Sequence, residues 1–443
     1  MMVLLANVVL AAVAQETPAI TFEAPAVERT ITVGLNAAGT VKVDWGNGTP
    51  VEQTAAGAYD GWDNALDFTG TPSGTVKIYG EGIIYFQAFT KYAAGASEIT
   101  DGITAVNLDG AAATLTELDL HQNNLTTVDL SKLTALKTLT IGVNDFETID
   151  LSANTELTKL DMSDGKNNGK VTSVDLSKNT KLTNIVLSGN KLTTLDLSNN
   201  PVAKTITVLN NQLTEVTLGA NTATKHTIQF GGNKLAAIDL SQFTDVTGAY
   251  LRLRDNIFAE ATAIKLPEGQ TVKQLWVDGN AFTLSQLYAA KSLTQTFTYA
   301  TTYTKAQAQA PYELPAKIDV NGTVDLSSQA MLGETATTFV WKNAEGTALN
   351  EDVDYELIGP GVFTFTTAQE AIHCEMTNAE LNAFTAEKPY ITTTMEVKGS
   401  GSGISTIAAE NTKKGEWYNL NGQRVIAPAK GLYIINGKKI VVK

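Results

Sequence analysis

Three histidines, His121, His226 and His373, and one cysteine, Cys374, are the only imidazoles and thiol in this sequence. Acid–base or nucleophilic chemistry would need one of them beside a suitable partner. His373 and Cys374 are neighbours in the strand-like stretch "AIHCEMTNAEL". Their side chains therefore point to opposite faces and cannot pair. His121 falls on a repeat strand and His226 in a turn between repeats, and neither belongs to an H-E-x-x-H pattern. No G-x-S-x-G occurs, and "GEGIIYF" lacks the lysine and helix of a phosphate loop. The sequence thus predicts a protein that is not an enzyme, with no catalytic residue, no metal ligand set and no cofactor. Two places still offer oxygen ligands to a cation. One is Asp44 and Asn47 in "VKVDWGNGT"; the other is a column of Asp129, Asp150, Asp175, Asp196 and Asp239 from a recurring "DL". At both, a turn in which the side chain bonds nearby backbone is the alternative.

The remaining chemistry is that of recognition. Tyr250, Arg252, Arg254 and then Gln274, Trp276, Asp278 are two alternating triplets. Tyr, Trp and Arg are the types in which binding energy concentrates. These six residues are the candidate ligand-binding set, provided the chain lays the triplets side by side.

Repeats would do that. The decapeptide "KLTTLDLSNN" from Lys191 has close relatives in "NLTTVDLSKL" from Asn124, "DFETIDLSAN" from Asp145, "KVTSVDLSKN" from Lys170 and "KLAAIDLSQF" from Lys234. Alongside it runs L-x-x-L-x-L-x-x-N-x-L, first at Leu115, Leu118, Leu120, Asn123 and Leu125. The asparagine recurs at Asn144, Asn168, Asn190, Asn211, Asn233, Asn256 and Asn280, giving coils of 21 to 24 residues. One coil cannot bury the leucine side of its strand alone, so the coils must stack. Stacking sets strands about 4.8 Å apart in a parallel sheet. Asparagine suits the turn off each strand because its amide both donates and accepts. Residues between the leucines then face outward on the concave side. The first coil presents Glu117, Asp119 and His121, the middle coils small neutral residues, and the last two the candidate set. That set is either open to a ligand or covered by a neighbouring cap or domain.

The repeats resemble those of bacterial leucine-rich-repeat surface proteins of the internalin type, over roughly residues 100 to 290. The resemblance implies a leucine-rich-repeat solenoid in a mainly β chain. It also implies an adhesin-like binding protein, secreted or on the outer cell surface, whose concave face recognises a protein or glycan of a host or microbial surface. A structural spacer or matrix protein without a tight ligand is the alternative.

The flanks have other textures. Residues 1–14 end in Ala12-Val13-Ala14 and read as a signal peptide, or else as a buried first strand. Residues 15–95 read as an N-terminal β-domain, and "VKVDWGNGT" looks like the turn of PKD-like modules. The solenoid spans 96–298 and ends in a capping helix at "TLSQLYAAKS". Residues 310–398 read as a β-sandwich in which Trp341 resembles the core tryptophan of Ig-like domains. Residues 399–406 form a Gly/Ser linker. In 407–443, "YNLNGQRV", "KGLYIINGKK" and the closing "VVK" resemble the C-terminal sorting domains of Bacteroidetes secreted proteins, which the type IX secretion machinery reads. A small stabilising hairpin is the alternative there. A net charge of -14 argues against nucleic acid as a partner. No run after the first is long enough for a transmembrane segment.

Overall fold

The computed structural model describes residues 16–61, 63–90, 98–299, 309–399, 416–420, 422–426, 429–435 and 438–442. The expected signal peptide, and all of the expected linker except Gly399, lie outside them. The chain divides into one unit of residues 1–311 with 379–390, and a second of 312–378 with 391–443.

The first unit is organised by one long sheet. Its strands in chain order are β1 (Arg29–Leu35), β2 (Leu66–Gly70), β3 (Ile83–Ala88), β4 (Glu117–Asp119), β5 (Thr138–Thr140) and β6 (Lys159–Asp161). They continue as β7 (Asn184–Val186), β8 (Thr205–Thr207), β9 (Thr227–Gln229), β10 (Tyr250–Arg252), β11 (Val272–Trp276) and β12 (Thr294–Thr298). The spatial order is β2-β1-β3, then β4 through β12 in sequence. From β3 onward every pairing is parallel, whereas β1 and β2 run antiparallel. The N-terminal segment therefore extends the solenoid's own sheet. A second, five-stranded sheet backs this end, and its Phe22 ring lies 6.5 Å from Phe86 of β3.

Alternation along each strand builds the core. Leu118, Leu139, Leu160, Ile185, Ile206, Ile228, Leu251 and Leu275 occupy one inward row, each at most 1% exposed. Each such burial contributes about 1.5–3 kcal/mol. Asparagines join the coils. Asn211 Nδ2 donates to the carbonyls of Leu187 and Leu209 (3.0 and 3.1 Å), and its Oδ1 accepts from Leu192 N (3.0 Å). Asn123, Asn144, Asn190, Asn233, Asn256 and Asn280 repeat the scheme. Asn168 differs in being exposed, in an inserted loop after Asp164. A ladder not expected from the sequence runs through Asn154, Asn179 and Asn200, whose amides donate to two carbonyls each on preceding turns. The "DL" aspartates are turn caps. Asp129, Asp150, Asp175, Asp196 and Asp239 each accept from the backbone N–H two residues on. Asp44 likewise accepts from Gly46 N and Gly48 N.

The far end is closed by helix α1 (Leu284–Lys291), capped by Thr283 as its sequence predicts. Residues 379–390 belong to this unit and cover the last coil: Phe384 lies 5.6 Å from the Tyr299 ring, and Lys291 pairs with Glu380 at 3.0 Å. Gln309 occupies the next place after Asn280. It donates to Val277 and Tyr299 carbonyls and accepts from Phe282 N.

The second unit holds a β-sandwich. One sheet contains Lys317–Asp319, Met395–Lys398, Gln369–Thr377 and Thr338–Lys342; the other contains Thr323–Asp325, Val362–Phe365 and Tyr355–Gly359. Trp341 is fully buried, edge-on to Phe365 at 4.9 Å and opposite Cys374 on the next strand. Burial pushes the Cys374 thiol far up from its ordinary pKa. The basic tail forms a four-stranded antiparallel sheet from Trp417 to Val442.

Candidate functional site

The face of the long sheet opposite the core carries in-register rows of side chains. One row reads Gln87, Asp119, Thr140, Asp161, Val186, Thr207, Gln229, Arg252, Trp276, Thr298. Its neighbour includes Tyr85, Glu117, Tyr250 and Gln274. The registers of β10 and β11 match without a slip, so the two candidate triplets stand side by side.

The candidate set is locked together. Tyr250 and Trp276 stack with centroids 6.3 Å apart and planes 27° from parallel. The Arg252 guanidinium lies 4.6 Å from the Trp276 ring centroid and donates to Gln229 Oε1 at 3.0 Å. Such a cation over an indole face is attracted by the ring quadrupole. Arg252 is exposed, and Tyr250, Arg254, Gln274 and Trp276 are half-buried. Asp278 departs from the expectation that it faces a ligand. It is 2% exposed and pairs with Arg254 Nη2 at 2.7 Å. Both printed bonds from Arg254 end on Oδ2 of this buried carboxylate, so Asp278 positions Arg254. Lys273 joins the patch unpredicted, with Nζ 5.0 Å from the Tyr250 centroid. Strict alternation assigns it to the inner face, although it lies near the start of its strand and is exposed. Asp255 borders the patch; burial, then the charge of Asp278, raises its pKa above the usual carboxylate value.

The opposite end of the face is acidic and also ordered. His121 Nδ1 meets Asp119 Oδ1 at 2.5 Å, and Gln87 Nε2 donates to Asp119 Oδ2 at 2.9 Å. Burial works to raise the Asp119 pKa, but these hydrogen bonds outweigh it and hold the carboxyl below its ordinary value. Tyr59 stacks on Tyr85 at 4.6 Å. It lies over Gly34, where a Cβ would come within 2.6 Å of its ring. His226 is fully buried against Phe243, at 4.9 Å between ring centroids. His373 stands 3.7 Å from Glu375, in the second unit. His121 and His226 thus belong to the first unit and His373 to the second. Among the described residues no three His, Cys, Asp or Glu side chains are placed to hold one metal ion. No helix among them is long and apolar enough to cross a membrane.

No protein-family model and no curated protein matches this sequence. Among solved structures it is similar to the functional domain of InlJ from Listeria monocytogenes. Identity is 14%, 73% of this chain and 93% of that one are covered, and the TM-score is 0.27. It is also similar to the leucine-rich repeat domain of APL1B, at 16% identity over 59% of this chain and 89% of that one, with a TM-score of 0.25. The LRIM1/APL1C complex matches at 18% identity over 42% and 48%, with a TM-score of 0.26. The coils themselves define the architecture: this is a mainly β chain built on a leucine-rich-repeat solenoid of about eight turns.

Proposed function

We propose that this is a non-enzymatic, adhesin-like binding protein, secreted or held on the outer cell surface, whose solenoid grips a protein or glycan through the C-terminal end of its open face. The observation that carries the proposal is Arg252, exposed and held over Trp276 by Gln229. A guanidinium and two aromatic rings fixed before any ligand arrives lose little entropy on binding. With Arg254 and Lys273 beside them, they favour a partner bearing carboxylate or sulfate groups. Export rests on the resemblance of the first 14 residues to a signal peptide and of the basic tail to a sorting domain, with the secretion machinery as a second partner. The spacer alternative draws on the middle coils, whose open face carries no aromatic ring at its strand positions and, apart from Lys159 and Asp161, only uncharged side chains such as Thr140, Val186 and Thr207.

The test is binding of the full chain to arrays of extracellular-matrix proteins and of neutral and acidic glycans, with Arg252→Ala/Trp276→Ala alongside. The expected result is at least one acidic ligand whose binding falls by about 100-fold or more in the double variant, two hot-spot truncations being worth that much. Binding of the acidic ligands unchanged by the double variant, or no acidic ligand bound at all, would sink the proposal.

A further inference from the structure

At the other end of the open face, about seven strand spacings or 34 Å from β10, β1 to β3 and the turn after β4 frame a cleft of about 830 Å³. That is the size of a small-molecule site. Arg29 forms one wall and is 7% exposed. Its Nη2 donates to the Asp101 carbonyl at 2.9 Å and the Pro25 carbonyl at 3.3 Å, while Nη1 reaches Thr90 Oγ1 only at 3.4 Å. Its buried Nε has no acceptor among the described residues. A buried guanidinium that is incompletely paired is costly, and an acceptor offered to Nη1, whose one bond to Thr90 is long, is favoured. Elsewhere the lining mostly accepts. Exposed Asp67 takes one bond from Thr32 Oγ1, at 2.6 Å. Gln87 spends its amide N–H on Asp119, which leaves its carbonyl oxygen to accept. His121 turns its Nδ1 toward Asp119 Oδ1, which leaves Nε2 as the ring nitrogen not engaged there. Phe89, stacked on His121 at 4.7 Å and 17°, supplies a half-buried apolar plate.

We propose that this cleft binds a neutral saccharide, independently of the Tyr250–Trp276 patch. A sugar hydroxyl donates and accepts through one atom, so vicinal hydroxyls can serve Asp67 and Gln87 on one side and Arg29 on the other. The C–H face of a pyranose suits an aromatic plate. Charge selects against the nearest rivals. Glu28, Asp67 and Asp101 in the lining, with Asp119 behind Gln87 and His121, repel an acidic sugar, and Arg29 repels an ammonium or guanidinium at the wall that most needs a partner.

The experiment is saturation-transfer NMR and calorimetry on the full chain. The probes are maltotriose, cellotriose, xylotriose and diacetylchitobiose, with trigalacturonate and an arginine-rich peptide as charged counterparts. At least one neutral oligosaccharide is expected to bind with a Kd of about 1 mM or tighter. Phe89→Ala and Asp67→Asn should each weaken it by about tenfold or more. Asp67→Asn keeps an acceptor for Thr32 and so preserves the fold. Arg252→Ala/Trp276→Ala should leave this binding unchanged, which separates the outcome from that of the C-terminal patch. No binding by the neutral sugars, tighter binding of either charged probe, or binding that survives both cleft variants would overturn the proposal.

Discussion

Replacing Asn233 by alanine should destabilise the solenoid sharply, while the same change at Asn168, in the same sequence pattern, should do almost nothing. Asn233 is 8% exposed. Its Nδ2 donates to the carbonyls of Val208 and Phe230, both at 2.8 Å, and its Oδ1 accepts from Leu213 N at 3.0 Å. Alanine removes three bonds: the Val208 carbonyl and the Leu213 N–H lose this partner, and the Phe230 carbonyl keeps its bond from Asn256. At about 1–1.5 kcal/mol for each of the three lost bonds, the cost is about 3–4.5 kcal/mol. Asn168 is exposed in the loop after Asp164, so its truncation should stay within about 0.5 kcal/mol. Urea unfolding followed by far-UV circular dichroism gives the totals, and amide exchange at Leu213 gives the local effect. Exchange there should accelerate in Asn233→Ala and not in Asn168→Ala. Equal shifts for the two variants would refute the idea that these asparagines hold the coils through buried backbone bonds.

Gln309→Ala should act at one end only. Its amide bonds Val277 and Tyr299 carbonyls at 2.9 and 3.0 Å and takes Phe282 N at 3.1 Å. Exchange at Phe282 should rise by about 100-fold while Leu213 stays protected, since terminal coils open separately from the interior; uniform loosening would count against it. His226 should make the solenoid acid-sensitive. Burial lowers its folded pKa from the ordinary 6.5. Below pH 6.5 the unfolded chain then binds a proton that the folded chain refuses, so stability present above that pH is lost as pH falls toward the folded pKa. The stability of the native protein minus that of His226→Leu should fall by up to about 1.4 kcal/mol per pH unit in this window; a difference flat from pH 7.5 to 5 would contradict the assignment.

What the sequence announced and what it hid divide along physical lines. The leucine rows and the asparagine ladder were readable because each coil repeats the same local requirement: an apolar side chain inward, then an amide for the carbonyls the turn leaves behind. Asn168 misled because an insertion after Asp164 carries it out of the turn, and the long 24-residue spacing before it was the available hint. Asp278 misled because alternation assigns a face and says nothing of a guanidinium folding over a carboxylate. Gln309 was invisible as a rung, being glutamine and set apart from the last strand. The cleft at β1–β3 and the turn after β4 was hidden more deeply. Its walls come from strands whose spatial order, β2-β1-β3, departs from their order in the chain, and single aromatic or charged residues there follow no period.

The open face joins two unlike ends, and the coils between them fix their relation. One end gathers Glu117 and Asp119 and the cleft carboxylates; the other gathers Arg252, Arg254 and Lys273. At physiological salt the Debye length is about 8 Å, far shorter than the roughly 34 Å between β3 and β10. Neither end therefore sets the field at the other, and substitutions at the two should combine additively. Any coupling has to come from a ligand long enough to touch both, which would gain through effective concentration and not through new contacts. The neutral middle coils matter in that case as a spacer. Their parallel register holds at every step from β4 to β11, so the number of coils sets the span in steps of about 4.8 Å. On the proposed reading, binding and spacing are two consequences of one solenoid: the ends supply chemistry, and the repeated decapeptide supplies the distance between them.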